Sequence, residues 1–580
     1  MSKAKSPRKV VAIDFGTSTT LVAVRLANGI PEVIPIGGQT GVTLMPSIID
    51  IDDLSNVGES VAEHRQHRSV KSDLTRAERY DVSDPERNLA ELRVGAIIKE
   101  GIRRAEERVP DLLENSEVYV GCPALWSGKN RKRLATIVRD LGLTVDFGNI
   151  LDEPVAAGIS WIRDQWLAGG VKPVGNVLVF DPGGGTLDVA YLRVAENKDA
   201  ALPDISIYYA DSIAKSGDYA DSLLGDTVCE SDARLREFKD TPALRDAVRS
   251  LKEQLSFRTE GQVNAGSPVN AIVECDQSVL NAALEPLVVD MHRLIENVVK
   301  GTLLRRLGRI SPHEIRTDPK FDFGSVLAPE VDYVVLAGGL SRIPLFAREL
   351  AATFPRAQLI TLSNPQEAVV KGLCYGKELV HLNLPRPPIS FFARVTELDA
   401  DGETVSKEVC VYEAFSPIFR VESAMAGNGD VYASWTCSAR SGAIVELFAI
   451  TPSIDEDVPI SDLLIAFRMT GSKGQPVITK PSGVDKSTSG SFIRMVLKHD
   501  PRSIHGQVRF VLYPTTEIGF YGANCDMAFR VDDWSPTPGN FAIGEQIASS
   551  SIPVTQVSGT YVAERDVMVT HSSPVKSKDR

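Results

Sequence analysis

The chain has 580 residues, 43% of them hydrophobic and 24% charged, with a formal net charge of −13. That length exceeds a single hydrophobic core and implies two to four domains. The acidic balance argues against a nucleic-acid partner, and without an uninterrupted apolar run of about 18 residues no membrane span is expected.

The opening residues, MSKAKSPRK, are basic with no apolar stretch behind them, so residues 1–8 read as a disordered lead and not as a signal peptide. Seven cysteines are scattered without CxxC spacing, which suits reduced thiols in a cytoplasmic protein. Residues 10–24, VVAIDFGTSTTLVAV, predict strand, turn and strand, with Asp14 leading into Gly16, Thr17 and Ser18. Residues 29–53 alternate turn residues with short apolar runs, as an antiparallel edge does. His64 and His67 are three apart, but no carboxylate or cysteine stands beside them at metal-site spacing, so a solvated helix face is expected. Lys71 lies in a polar run, where a lysine is usually at the surface.

Residues 89–114 carry helical periodicity interrupted by Pro110; a strand at 118–120, Pro123 and a basic amphipathic helix follow. The Arg and Lys run of that helix, NRKR, reads as a solvated face and not as a nucleic-acid patch. In LDEPVAAGISW (residues 151–161), Glu153 precedes a proline and a run of small residues that would permit close helix contact. Packing accounts for Ala156, Ala157 and Gly158, whereas the acidic residue before Pro154 points to a carboxylate facing a cation.

Residues 174–194, VGNVLVFDPGGGTLDVAYLRV, repeat the amino-terminal pattern: a strand, Asp181, the turn Gly183-Gly184-Gly185-Thr186, Asp188 and a second strand. A glycine run has no Cβ to hold an anion away and tolerates the positive φ of an anion-binding nest. An aspartate at the mouth repels phosphate and so serves a cation, with magnesium, which needs only one or two carboxylates, the natural choice. Two Asp-x-Gly hairpins imply a duplicated domain gripping one polyphosphate from both sides. Neither is a P-loop or a Rossmann turn, because GxxxxGK[ST] is absent and neither hairpin opens a helix.

Further on, residues 244–257 and 280–307 are helical in pattern. In YVVLAGGLSRIPLFAREL (333–350) an apolar strand runs through Gly338-Gly339 into a helix, a turn on which a flat nucleoside can lie. The proline-rich LPRPP (384–388) breaks the pattern, and period-two stretches at 443–450, 463–469, 492–498 and 507–514 then predict an all-β domain, a sandwich.

Taken in order, IDFGTSTT, CPALW, LDEPVAAGISW, FDPGGGTLDVAYL and LAGGLSRIP, with NPQEAVVKG as a weaker sixth, resemble the ATPase domain of the heat shock protein 70 family, in the actin-like ATPase superfamily. The resemblance covers roughly residues 9–380. It implies an α/β fold: a duplicated, ribonuclease H-like ATPase domain (9–383) with two lobes around a nucleotide cleft. A Pro-rich linker (384–390), a β-rich domain (391–564) and a disordered tail (565–580) would follow.

By the same resemblance Asp14 and Asp181 hold Mg2+ through water, and Gly16, Thr17, Ser18, Gly183, Gly184, Gly185 and Thr186 bind the phosphates of ATP or ADP. Lys71 and Glu153 position the attacking water, Thr186 and Asp181 complete the catalytic set, and Asp188 belongs to the cation site, with K+ as a further ion. Pro123 is a hinge; Lys252, Ser256, Gly338, Gly339 and Arg342 form the adenosine site. The implied function is a slow, Mg-dependent ATPase that controls client binding, with a polypeptide client and a co-chaperone or nucleotide-exchange factor as partners.

The chain also departs from the family pattern. Arg249 and Glu253 stand where the family carries glutamate and arginine, Gln366 replaces an acidic residue, LPRPP replaces an acidic, leucine-rich linker, and no helical lid follows the last strands. A nucleotide-binding scaffold with little turnover and an actin-like filament protein stay open as alternatives. A small-molecule kinase of the superfamily ranks lower, for want of a base aimed at a hydroxyl.

Overall fold

The computed structural model describes residues 9–376 apart from 27–28, 78–84, 127, 146–148, 170–171, 197–201, 240, 266–270 and 307–329, and beyond these only the segments 390–398, 401–412 and the later strands. The chain divides into two compact units, Met1–Val299 with Asp322–Val380, and Lys300–Phe321 with His381–Arg580.

The first unit is mixed α/β and contains one sheet topology twice. In the amino-terminal half Lys9–Phe15 (β1) pairs antiparallel with Thr19–Arg25 (β2), and β2 antiparallel with Glu32–Ile34 (β3). On its other side β1 runs parallel to Ser116–Cys122 (β4), which runs parallel to Ile150–Asp152 (β5). The second half repeats this with Gly175–Pro182 (β6), Leu187–Ala195 (β7) and Asp204–Ile213 (β8) antiparallel. Tyr333–Leu336 (β9) and Gln358–Thr361 (β10) are then added parallel beside β6. The strand order 3-2-1-4-5 is therefore the same in both halves. Each hairpin is local and each parallel neighbour needs a long crossover, which is why only the hairpins are obvious in the sequence.

Helix α2 (Glu153–Leu167) starts directly after β5, with a proline in its first turn where the missing N–H costs nothing. It carries almost no polar face. Val155, Ala156, Ile159 and Ile162 share one core with Ala12, Leu21 and Ala23 of the first sheet and Val177, Val179 and Leu192 of the second. The small residues expected to permit close contact do so: a Cβ at Gly158 would lie 2.6 Å from Leu192 Cδ1, and Gly372, in the short helix Ala368–Leu373, backs onto the Ala156 carbonyl.

Several expectations change. The basic run after Pro123 forms the helix Gly128–Asp140, but Arg131 and Arg133 on it are buried, Arg131 pairing with Asp152 and Arg133 with Glu91. Periodicity could not distinguish these from solvated arginines, because their partners lie on other elements. His64 and His67 share no helix: Glu63–Arg65 is a single 3-10 turn, and His67 sits in the short strand Gln66–His67, paired with Asp73 and at 27% exposure.

In the second unit the described strands form two antiparallel sheets, one of four strands and one of six. They include Ile444–Ile450, Ile465–Thr470, Phe492–Val496 and His505–Pro514, where period-two stretches were expected. A strand at Asp566–His571 pairs with Asp526–Pro536 where the sequence reads as a disordered tail; its alternating Val567 and Val569 supply the pattern. The LPRPP stretch lies outside the described residues. Among the described residues no helix is long and apolar enough to cross a membrane.

Candidate functional site

The turns of the two hairpins close with the same backbone bond: Gly16 N–H donates to Thr19 O at 3.0 Å, and Gly183 N–H to Thr186 O at 2.9 Å. The turns also meet. A Cβ at Gly184 would overlap Ser18, and one at Gly185 would lie 2.5 Å from the Thr17 hydroxyl. Glycine is needed here for close approach, since neither Gly16 nor any of the three consecutive glycines adopts positive φ, contrary to the reason expected from sequence. The left-handed glycine of the site is Gly338, at φ 67, where a side chain would strike Asp181.

Around these turns opens a cleft of about 620 Å³. It brings together Asp14, Gly16, Thr17, Ser18, Lys71, Glu153, Asp181, Gly183, Gly184, Thr186 and Asp188 with Lys252, Ser256, Gly338, Gly339 and Arg342. Of the residues that the family resemblance assigns to the site, Gly185 and Pro123 do not line it. Lys71 is not a surface lysine: it lies on helix α1 (Val70–Arg76), is 3% exposed, and its ammonium pairs with Glu153 Oε1.

The charges at the floor do not balance. Asp181 and Asp188 are direct cross-strand partners on β6 and β7, both buried, and Asp14 is buried nearby. Like charges opposite each other destabilise a sheet. Burial, with Glu153 adding to it, pushes the Asp14 carboxyl up to about 7, and burial and Glu153 do the same to Asp188, although the Ala124 N–H donates to it at 3.0 Å. Burial and Asp188 hold Asp181 well above the usual carboxylate range. For Lys71 burial opposes the charge, but Glu153 and Asp14 outweigh it and raise the ammonium's pKa.

This donor set suits a hard divalent cation. Among the described residues no three His, Cys, Asp or Glu side chains stand ready to chelate a metal directly. A pH effect follows. Carboxyls whose folded pKa is raised contribute stability that is complete below about 4 and lost as pH rises through about 7. Stability in EDTA should therefore fall between pH 4 and 8, by a few kcal/mol, as thermal melting would show. Mg2+ should restore more of the loss at pH 8 than at pH 5; a flat profile in EDTA would count against this reading of the floor.

At the other end of the cleft, sequence reasoning missed Phe257, Asp218 and Asp221. Phe257, next to Ser256, is 68% exposed, and the Arg342 guanidinium lies over its ring at 5.5 Å. Asp218 and Asp221 are three apart on the helix Gly217–Ser231 (α3), and Arg249 and Lys252 are three apart on Pro242–Leu255 (α4). Lys252 Nζ is 2.6 Å and Arg249 Nε 3.1 Å from Asp221. Such matched spacing becomes informative only when the two helices are known to face each other. The start of α3 also supports the second turn, with Asp218 N–H donating to Gly184 O at 2.7 Å.

A repeated 3-2-1-4-5 sheet with two facing Asp-x-Gly turns and a cleft between them defines a duplicated α/β protein with its candidate site where the two halves meet. The family described as Hsp70 protein matches residues 57–377, and the chain belongs to that family. It is 26% identical over 387 residues to the chaperone protein DnaK of Thermotoga neapolitana, a match covering 64% of this chain and 59% of that protein. Against the chaperone protein HscA homolog of Burkholderia orbicola it is 26% identical over 407 residues, 64% of this chain and 58% of the relative. The matched part therefore spans less than two thirds of the length of these relatives.

Proposed function

We propose that this chain binds ATP with Mg2+ and hydrolyses it slowly to ADP and phosphate, as a chaperone-like protein whose nucleotide state controls a polypeptide client. The observation that carries the reading is the single cleft in which two interlocked glycine turns, three buried carboxylates and the Lys71–Glu153 pair converge. The backbone of Gly16 to Ser18 and of Gly183, Gly184 and Thr186 cradles the phosphates from both sides. Asp14 and Asp181, with Asp188 paired across the strands from Asp181, would hold the cation. When bound, that cation neutralises charge on the phosphates. Glu153, paired with the Lys71 ammonium, orients the water that attacks the terminal phosphorus, and little covalent help is needed beyond that.

Phe257 and Arg342 offer flat faces to a base above Gly338 and Gly339. With Arg249 and Lys252 engaged by Asp221, fewer free charges remain for the ribose than the family pattern implies. Residues 384–390 act as the linker and the C-terminal sheets as a client-binding sandwich, in the cytoplasm, with a co-chaperone or exchange factor as regulator.

Single-turnover hydrolysis of Mg-ATP tests the reading. The wild type is expected to convert bound ATP completely, and Asp181→Asn to slow conversion by about 10²-fold or more. Wild-type protein that holds ATP without cleaving it would make this a nucleotide-stabilised scaffold instead.

A further inference from the structure

The CPALW segment ends in Trp126, which has no part in the chemistry proposed for the cleft. It is fully buried and is the largest such side chain among the described residues. Three contacts tie it to the Lys71–Glu153 pair. The Lys71 ammonium lies over its ring, 5.9 Å from the centroid. Its indole N–H donates to Thr75 Oγ1 at 2.9 Å, and that hydroxyl donates to the Lys71 carbonyl at 3.1 Å. Its own carbonyl accepts from Arg131 Nε at 3.0 Å, and Arg131 pairs with Asp152, the residue before Glu153.

The need for such a support is physical. Helix α1 is only seven residues long, begins at Ser69 in the left-handed region (φ 59) and has no side-chain cap there. A two-turn helix is marginal by itself, so it cannot hold a lysine in register with a carboxylate 82 residues away. Thr75 is four residues after Lys71 and so lies on the same helix face. An aromatic face beneath an ammonium also stabilises the charged form.

We infer that Trp126 is a positioning residue for catalysis: it fixes the Lys71 ammonium from one side and, through Arg131 and Asp152, the start of the helix carrying Glu153 from the other. The inference rests on the ATPase reading, and its test has one arm that does not.

In single turnover, Trp126→Leu should slow hydrolysis by about 10²-fold, as expected for a small misplacement of a catalytic group. Nucleotide Kd should stay within about threefold, a threshold set well inside the tenfold that 1.4 kcal/mol represents. Trp126→Phe keeps the ring and loses the N–H, for a loss of about 3- to 10-fold, and Thr75→Val should reproduce that loss. Combining Thr75→Val with Trp126→Phe should add little to either.

The second arm is urea unfolding of Trp126→Leu, Lys71→Met and the double variant, where the double midpoint shift should be smaller than the sum of the single shifts. Wild-type rates in Trp126→Leu, or rate and affinity lost in parallel, would overturn the positioning role, as would additive midpoint shifts. If wild type does not hydrolyse ATP, the ATPase reading and the catalytic role fall together, and the unfolding cycle still reports whether Trp126 holds Lys71.

Discussion

Lys71→Ala is expected to reduce single-turnover hydrolysis of Mg-ATP by about 10²- to 10³-fold, with nucleotide still bound. The side chain is buried against Glu153 and is the ammonium that Asp14 and Asp188 also feel. Removing it leaves Glu153 as an unpaired buried carboxylate beside three others. Breaking a buried pair by deleting one partner costs about 3–5 kcal/mol, so the variant should also unfold at lower urea in EDTA, and Mg2+ with ADP should recover part of that loss. Measuring hydrolysis and unfolding on one preparation separates the two effects. Hydrolysis at the wild-type rate would remove Lys71 from the water-positioning role.

Gly372→Ala is expected to be the most disruptive single methyl in the amino-terminal unit. The added Cβ would overlap the backbone carbonyl of Ala156 on α2, and a backbone atom cannot swing aside as a side-chain tip can. The helix Ala368–Leu373 would have to leave the core it shares with both sheets, at a cost of about 3 kcal/mol or more. Gly95→Ala is the control. It lies within the helix Pro85–Arg108, where the nearest atom to an added Cβ is Ile137 Cγ2 at 3.5 Å. That change should be neutral or stabilise by about 0.5–1 kcal/mol. The readout is the urea midpoint of each variant, and equal midpoints for the two would mean that α2 and the Ala368–Leu373 helix cross less tightly than the Gly372 contact implies.

Much of the site is legible in the residues alone. Continuous apolar runs leading into Asp14 and Asp181, each with a glycine two residues on, are local patterns, and both hairpins form where the runs and the turn residues put them. The motif order also places Gly338, Gly339 and Arg342 beside the same cleft. Lys71 shows where residue patterns end. Its polar neighbours suggest a surface lysine, the family resemblance pairs it with Glu153, and the burial of that pair depends on elements distant in the chain.

The sequence by itself determined the two hairpins, the helices that follow them and the carboxylates set at their turns, because strand and helix periodicity and turn chemistry act over a few residues. Tertiary structure alone decided that Gly184 and Gly185 are glycines because the facing turn leaves no room, that Arg131 and Arg133 are buried, and that Asp221 holds Arg249 and Lys252. Those outcomes depend on which surfaces are brought together across tens to hundreds of residues, and packing between elements sets that where local periodicity carries no information.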